Sequence, residues 1–112
     1  MPELPEVETY IRELQPLLAG KTVQRVQVAW PRIIAAPTPE SFAAKLPGRR
    51  FVAFARRGKY MLLGLDDGST LVVHLRMTGA LRLHPADAPE DKHTHVVFHL
   101  DTGERLHYRD PR

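Results

Sequence analysis

No cysteine occurs in the 112 residues, which excludes disulfides and thiolate metal sites within this chain. No apolar run approaches the roughly 18 residues that a membrane-spanning helix needs, so no membrane association is expected. The N-terminus lacks the pattern of a secretory signal, and no internal repeat or low-complexity segment is visible. Acidic residues are scarce in one stretch. Residues 49–82 carry Arg49, Arg50, Arg56, Arg57, Lys59, Arg76 and Arg82 against only Asp66 and Asp67, whereas residues 1–48 balance five bases with five acids. Twelve of the sixteen basic residues are arginine, whose forked donors suit phosphate, so a polyanion is the favoured partner and nucleic acid the first candidate. A merely solvated charged face explains the composition equally well.

What is present reads as one domain of ordinary globular composition, with 43% hydrophobic and 26% charged residues. Val7, Ile11, Leu14 and Leu18 recur at helical spacing and predict an amphipathic helix over 4–18, with Gly20 as its stop and Pro16 straining or ending the last turn. TVQRVQVAW alternates as a half-buried strand does, and PESFAAKL reads as a short helix with Thr38 as cap and Pro39 at its first position. From Arg49 onward short strands follow one another with turns at RRGK, DDG, RMTG and DTG. The pattern predicts an α+β, mainly β fold: the helix packed on an antiparallel β-sandwich over about 21–110. The chain stops at Asp110-Pro111-Arg112 directly after a strand, which predicts a piece of a longer protein.

Five motifs carry chemistry: MPELPEVET, RRGKY, HLRMTG, KHTHV and YRDPR. In this order and spacing they resemble the N-terminal domain of bacterial formamidopyrimidine-DNA glycosylases, which excise oxidised purines such as 8-oxoguanine and then nick the abasic site. The resemblance covers essentially the whole chain, and MPELPE separates it from the related endonuclease VIII group, which usually reads MPEGPE. It implies a catalytic domain over 1–112 that precedes a helix–two-turn–helix and zinc-finger domain. A structural zinc is expected only there, and no cofactor in residues 1–112. The implied partner is double-stranded DNA containing oxidised purines or abasic sites, met by a monomer in the bacterial cytoplasm, in association with the nucleoid.

Once Met1 is removed, Pro2 has a free secondary amine. Attack on a sugar C1′ would give a permanently cationic iminium that labilises the C2′ proton. An α-amine titrates near about 8, against about 10.4 for lysine, and a helix N-terminus lowers it further. With Met1 attached, the nitrogen is an amide and cannot attack. The resemblance makes Glu3 the neighbouring acid, although the positive helix end favours its carboxylate form. It has Glu6 help hold the opened sugar and makes Lys59 a catalytic lysine that contacts phosphate. Glu8 reads as an ordinary first-turn charge. Pro2, Glu3 and Lys59 are expected to face one groove lined by Arg56, Arg57 and His93.

Met77 in the HLRMTG turn is implied to be a wedge entering the helix where the damaged base has left, which offsets part of the lost stacking. The family usually has glycine where Arg76 stands, and arginine resists a positive φ. Arg76 is a possible phosphate contact. His93, His95 and His99 share strand parity, and three histidines on one face could bind zinc. Six residues of strand span roughly 20 Å, which keeps His99 from joining His93 around one ion. By resemblance His93 contacts the DNA backbone with Lys92 as neighbour, while Thr94 replaces the usual aspartate. Arg112 is implied to fill the void and read the orphaned base. Two readings from other classes stay open: a DNA-binding module without chemistry, and a tautomerase-like enzyme using its N-terminal proline as a base.

Overall fold

The computed structural model describes residues 4–112, with side chains from Glu6 onward. Pro2 and Glu3 lie outside the described residues. Helix α1 (Leu4–Leu18) turns Val7, Ile11, Leu14 and Leu18 into the core, all at most 5% exposed. Each such burial is worth about 1.5–3 kcal/mol, which outweighs the one N–H that exposed Pro16 removes from the ladder. The helix therefore runs past Pro16 and stops before Gly20, where φ is +82°. Strand β1 (Val23–Val28) follows, then a 3-10 turn at Pro31–Ile33. In α2 (Pro39–Lys45), Thr38 Oγ1 accepts from Ser41 N–H at 3.1 Å, the cap that the sequence implies.

Six strands complete the chain: β2 (Phe51–Arg57), β3 (Tyr60–Leu65), β4 (Thr70–His74), β5 (Ala80–His84), β6 (Thr94–Leu100) and β7 (Arg105–Arg109). They form two antiparallel sheets, ordered β1-β6-β7-β5 and β2-β3-β4. Phe51, Met61, Leu63 and Leu106 fill the space between the layers with no exposed surface, and α1 packs against β2 and β3. The expected helix and sandwich are both present.

Two details go beyond the sequence pattern. RMTG is the expected turn between strands, but β4 belongs to one sheet and β5 to the other, so residues 75–79 cross between layers rather than closing a hairpin. Val96, Phe98 and Leu100 of β6 do face the core together, but His93, His95 and His99 do not share the other face of a regular strand. His93 sits in a turn before the strand, and the register slips by one between Thr94 and Val96, which places His95 at a bulge. Residues on both faces of β6 are buried: Val96, Phe98 and Leu100 join the core, while His95 lies against Trp30 and the β5–β6 connection is tied to the neighbouring β7. Glu90 on that connection reaches Arg105 at 3.9 Å and Asp91 reaches Arg109 at 2.9 Å.

Candidate nucleic-acid interface

Strand pairing decides which turns become neighbours. In one sheet Arg57, Tyr60 and His74 form a single cross-strand row; in the other Ala80, Arg109 and Thr94 do. The short 75–79 crossing joins the ends of these rows. The β2–β3 turn, the crossing, the turn before β6 and residues 110–112 therefore share one end of the sandwich. Helix α1 is tied to the same end. Arg56 Nε donates to Glu8 Oε2 at 3.0 Å, and the Tyr10 hydroxyl donates to Leu81 O at 2.8 Å while accepting from Leu81 N–H at 2.7 Å.

Lys59 occupies a two-residue turn whose first position, Gly58, has φ +59°, the conformation such tight hairpins need. Lys59 and Arg57 are exposed. Arg56 is committed to the protein: besides Glu8 it donates to Gly58 O at 3.1 Å, bracing the turn that carries Lys59. Glu8 is thus more than a first-turn charge, since it links α1 to β2. Glu6 is exposed and shares a shallow depression with Thr9, Tyr10 and Glu13.

In the crossing, Arg76 is the one non-glycine residue with positive φ among the described residues, at +59°. This conformation costs an arginine roughly 1–2 kcal/mol, so the surroundings must hold it. They do so at three points. Gly79 N–H donates to Leu75 O at 2.7 Å, Tyr108 Oη donates to His74 O at 3.0 Å, and Thr78 Oγ1 donates to Asp110 Oδ1 at 2.5 Å. Glycine is required at 79, where a Cβ would lie 2.2 Å from Leu75 O. The result is Met77 held out to solvent, 64% exposed, with Arg112 Nη1 donating to its sulfur at 3.2 Å.

The turn bearing Lys92 and His93 is fixed by Asp91. Its carboxylate accepts from Arg109 Nε at 3.0 Å, Arg109 Nη2 at 2.9 Å and His93 N–H at 2.9 Å. These bonds, the Arg109 contact first, hold the Asp91 carboxyl far below the ordinary carboxylate range. Thr94 is buried and exchanges hydrogen bonds with Asp91. His95 is buried, donates from Nε2 to Asp110 O at 2.8 Å and lies against the Trp30 ring at a centroid distance of 5.0 Å. His99 lies instead between Arg25 and Gln27 of β1. Among the described residues no three His, Cys, Asp or Glu side chains are grouped to hold a metal ion.

The basic stretch of the sequence is divided by the fold. Arg57, Lys59 and Arg76 reach the end just described, joined by Lys92 and Arg112 from later in the chain, while Arg49 pairs with Asp66 at 3.4 Å at the opposite end, beside Arg50. Sequence reasoning missed Asp91, Asp110, Thr78 and Tyr10. Only the position of Asp110, between a strand and a proline, is a local signal of a side chain accepting from nearby main chain.

Residues 1–112 match the formamidopyrimidine-DNA glycosylase N-terminal domain. The chain belongs to this family. The formamidopyrimidine-DNA glycosylase of Bacillus subtilis is 50% identical over 113 residues, covering all of this chain and 41% of that protein. Two crystal structures of the Lactococcus lactis glycosylase superpose on the domain, both at 36% identity. One, in complex with DNA containing an abasic site, has a TM-score of 0.92 and covers 99% of this chain and 41% of the other. The second, with DNA containing Fapy-dG, has a TM-score of 0.90 and covers 96% and 40%. The glycosylase domain thus spans about 41% of the length of the curated relatives it matches.

Proposed function

We propose that the protein to which this domain belongs acts in DNA base-excision repair, as a glycosylase and abasic-site lyase on duplexes carrying 8-oxoguanine or formamidopyrimidines. The observation that carries this reading is the end of the sandwich where Arg57, Lys59, Arg76, Met77, Lys92 and Arg112 are exposed together while Glu8, Asp91 and Asp110 are tied to protein donors. Such an end offers cations to phosphates and one apolar side chain to a base stack. Two similar crystal structures contain DNA with an abasic site and with Fapy-dG, in keeping with that partner.

Pro2 is the proposed nucleophile. Its free secondary amine attacks C1′ of the damaged nucleotide and loses its proton as the C1′–base bond breaks, while Glu3 supplies a proton during base loss and ring opening. Cleavage of C1′–O4′ leaves an iminium that acidifies the C2′ proton for removal by a base. β-Elimination releases the 3′-phosphate, and δ-elimination then releases the 5′-phosphate. Glu6 holds the opened sugar, Lys59 and His93 hold backbone phosphates, Arg56 braces the Lys59 turn, and Arg112 faces the orphaned base. The structural zinc implied by the resemblance belongs outside these residues. A cytoplasmic, nucleoid-associated location is part of the proposal; no described helix is long and apolar enough to cross a membrane.

Borohydride trapping on a duplex with one oxidised guanine tests the chemistry. The full-length protein with Met1 removed is expected to form a covalent adduct, and the Met1-retaining form none. Equal trapping by both would remove Pro2 as the nucleophile. The 112 residues alone are proposed to bind DNA without chemistry, because they comprise about two-fifths of the relatives' length. Trapping by the 112-residue chain would refute that reading.

A further inference from the structure

Asp110 is 4% exposed, and its carboxylate forms no ion pair among the described residues. A buried carboxylate is costly unless it is hydrogen-bonded, and its donors here are neutral: Thr78 Oγ1 at 2.5 Å and the Arg112 main-chain N–H at 3.0 Å, both on Oδ1. Its own N–H donates to His93 O at 3.0 Å, and its carbonyl accepts from His95 Nε2 at 2.8 Å. One residue therefore joins the crossing, the turn before β6 and the chain beyond β7.

Two of these links close a ring. Thr78 adjoins Met77, and Asp110 reaches Arg112 through Pro111, whose φ is fixed by its own ring. Arg112 Nη1 then returns to Met77 Sδ at 3.2 Å.

We infer that Asp110 is a positioning residue that couples the Met77 turn to Arg112, so that the two side chains enter a damaged duplex as one unit. Resting on the DNA-repair reading above, this makes selectivity for the base opposite the lesion a joint property of Met77 and Arg112.

The test has two arms on the 112-residue chain. In the first, free of DNA, the methionine methyl groups are followed by NMR, with buried Met61 as internal control. R112A should shift the Met77 methyl resonance in the wild-type background and leave it unmoved in the D110A and T78V backgrounds. D110N, which keeps Oδ1 as acceptor, should restore the response. The second arm measures affinity for duplexes with a tetrahydrofuran abasic analogue opposite each of the four bases. D110A and T78V should lose about tenfold of the preference among opposing bases, with affinity for intact duplex unchanged.

T78V, which removes a single donor, carries both arms should D110A not fold. An equal Met77 response to R112A with and without Asp110 overturns the coupling, whatever DNA does. A folded D110A that keeps wild-type base preference overturns its role in selectivity. If the wild-type chain does not prefer abasic over intact duplex, the DNA-repair reading is what fails, and the NMR arm still decides the coupling.

Discussion

The two ends of the sandwich use the same materials differently. At the end opposite the candidate site, the turns close on themselves. Gly68 and Gly103 take the positive φ positions, Asp67 Oδ1 accepts from Ser69 N–H and Thr102 Oγ1 accepts from Glu104 N–H. Opposite charges also pair there: Lys21 with Glu104 at 2.6 Å and Arg49 with Asp66 at 3.4 Å. At the candidate site an arginine, as well as Gly58, takes a positive φ, acids are bound to main-chain and structural donors, and the remaining cations face water. The first arrangement satisfies local geometry. The second holds side chains where the protein alone gives them little reason to be, the usual mark of a site for something else.

The sharpest way to break this comparison is at the tip of α1. In the full-length protein with Met1 removed, P2G should reduce borohydride trapping and nicking to background while duplex affinity changes little. Glycine keeps an α-amine but yields an imine without permanent charge. K21A, at the opposite end, should leave trapping intact. Loss of trapping in both variants would mean that the ends are not functionally distinct.

Next in size is a pair of glycines. G79A places a methyl group against Leu75 O and should destabilise the domain by about 3 kcal/mol. G68A meets open space and has only its φ of +86° to lose, about 1 kcal/mol. Urea midpoints with unchanged slopes would measure both. Equal costs would show that the crossing is no more tightly built than an ordinary hairpin.

A smaller effect separates arginines and lysines that the composition lumps together. K59A should weaken duplex binding by the 112-residue chain and lower the salt slope by about one unit, whereas R50A, at the opposite end, should change neither. A salt-insensitive wild-type affinity would contradict the phosphate-contact reading altogether.

The limits of what was legible in the sequence follow from the same geometry. Helix α1, the Thr38 cap and the strands after Phe51 rest on contacts within a few residues, and periodicity and turn chemistry display these. The sheet change between β4 and β5 depends on which distant strands pair, and HLRMTG reads like any hairpin. The bulge at His95 undoes a parity argument that a regular strand would have satisfied. The roles of Asp110 and Asp91 stayed hidden because Thr78 and Arg109 come near them only once the strands have paired, although the Asp91 bond to His93 N–H is local. Motifs named the exposed side chains of the candidate site; apart from the place of Asp110 before a proline, nothing local named the residues that hold them.

The smallest expected effect sharpens the comparison by pH. Burial raises the Asp110 carboxyl pKa, but hydrogen bonds from Thr78 and the Arg112 N–H, with the nearby His95 and Arg76, bring it below its ordinary 3.8 overall. Lys21 first, then Thr102, lower Glu104 from 4.5 at the opposite end. A carboxyl with a depressed folded-state pKa stabilises above its unfolded value and loses that contribution as pH falls through the folded value. The thermal midpoints of wild type and D110N should therefore lie furthest apart above pH 3.8 and draw together below it; those of wild type and E104Q should do the same from 4.5 downward. The ends differ in screening. Glu104 and Lys21 meet at a partly exposed surface, so about 0.5 M salt should erase the E104Q difference. Asp110 is bonded to neutral donors in the interior and should keep its difference in the same salt. If salt abolishes both differences alike, Asp110 is held by surface charge, and the carboxylate is not the fixed point from which Met77 and Arg112 are positioned.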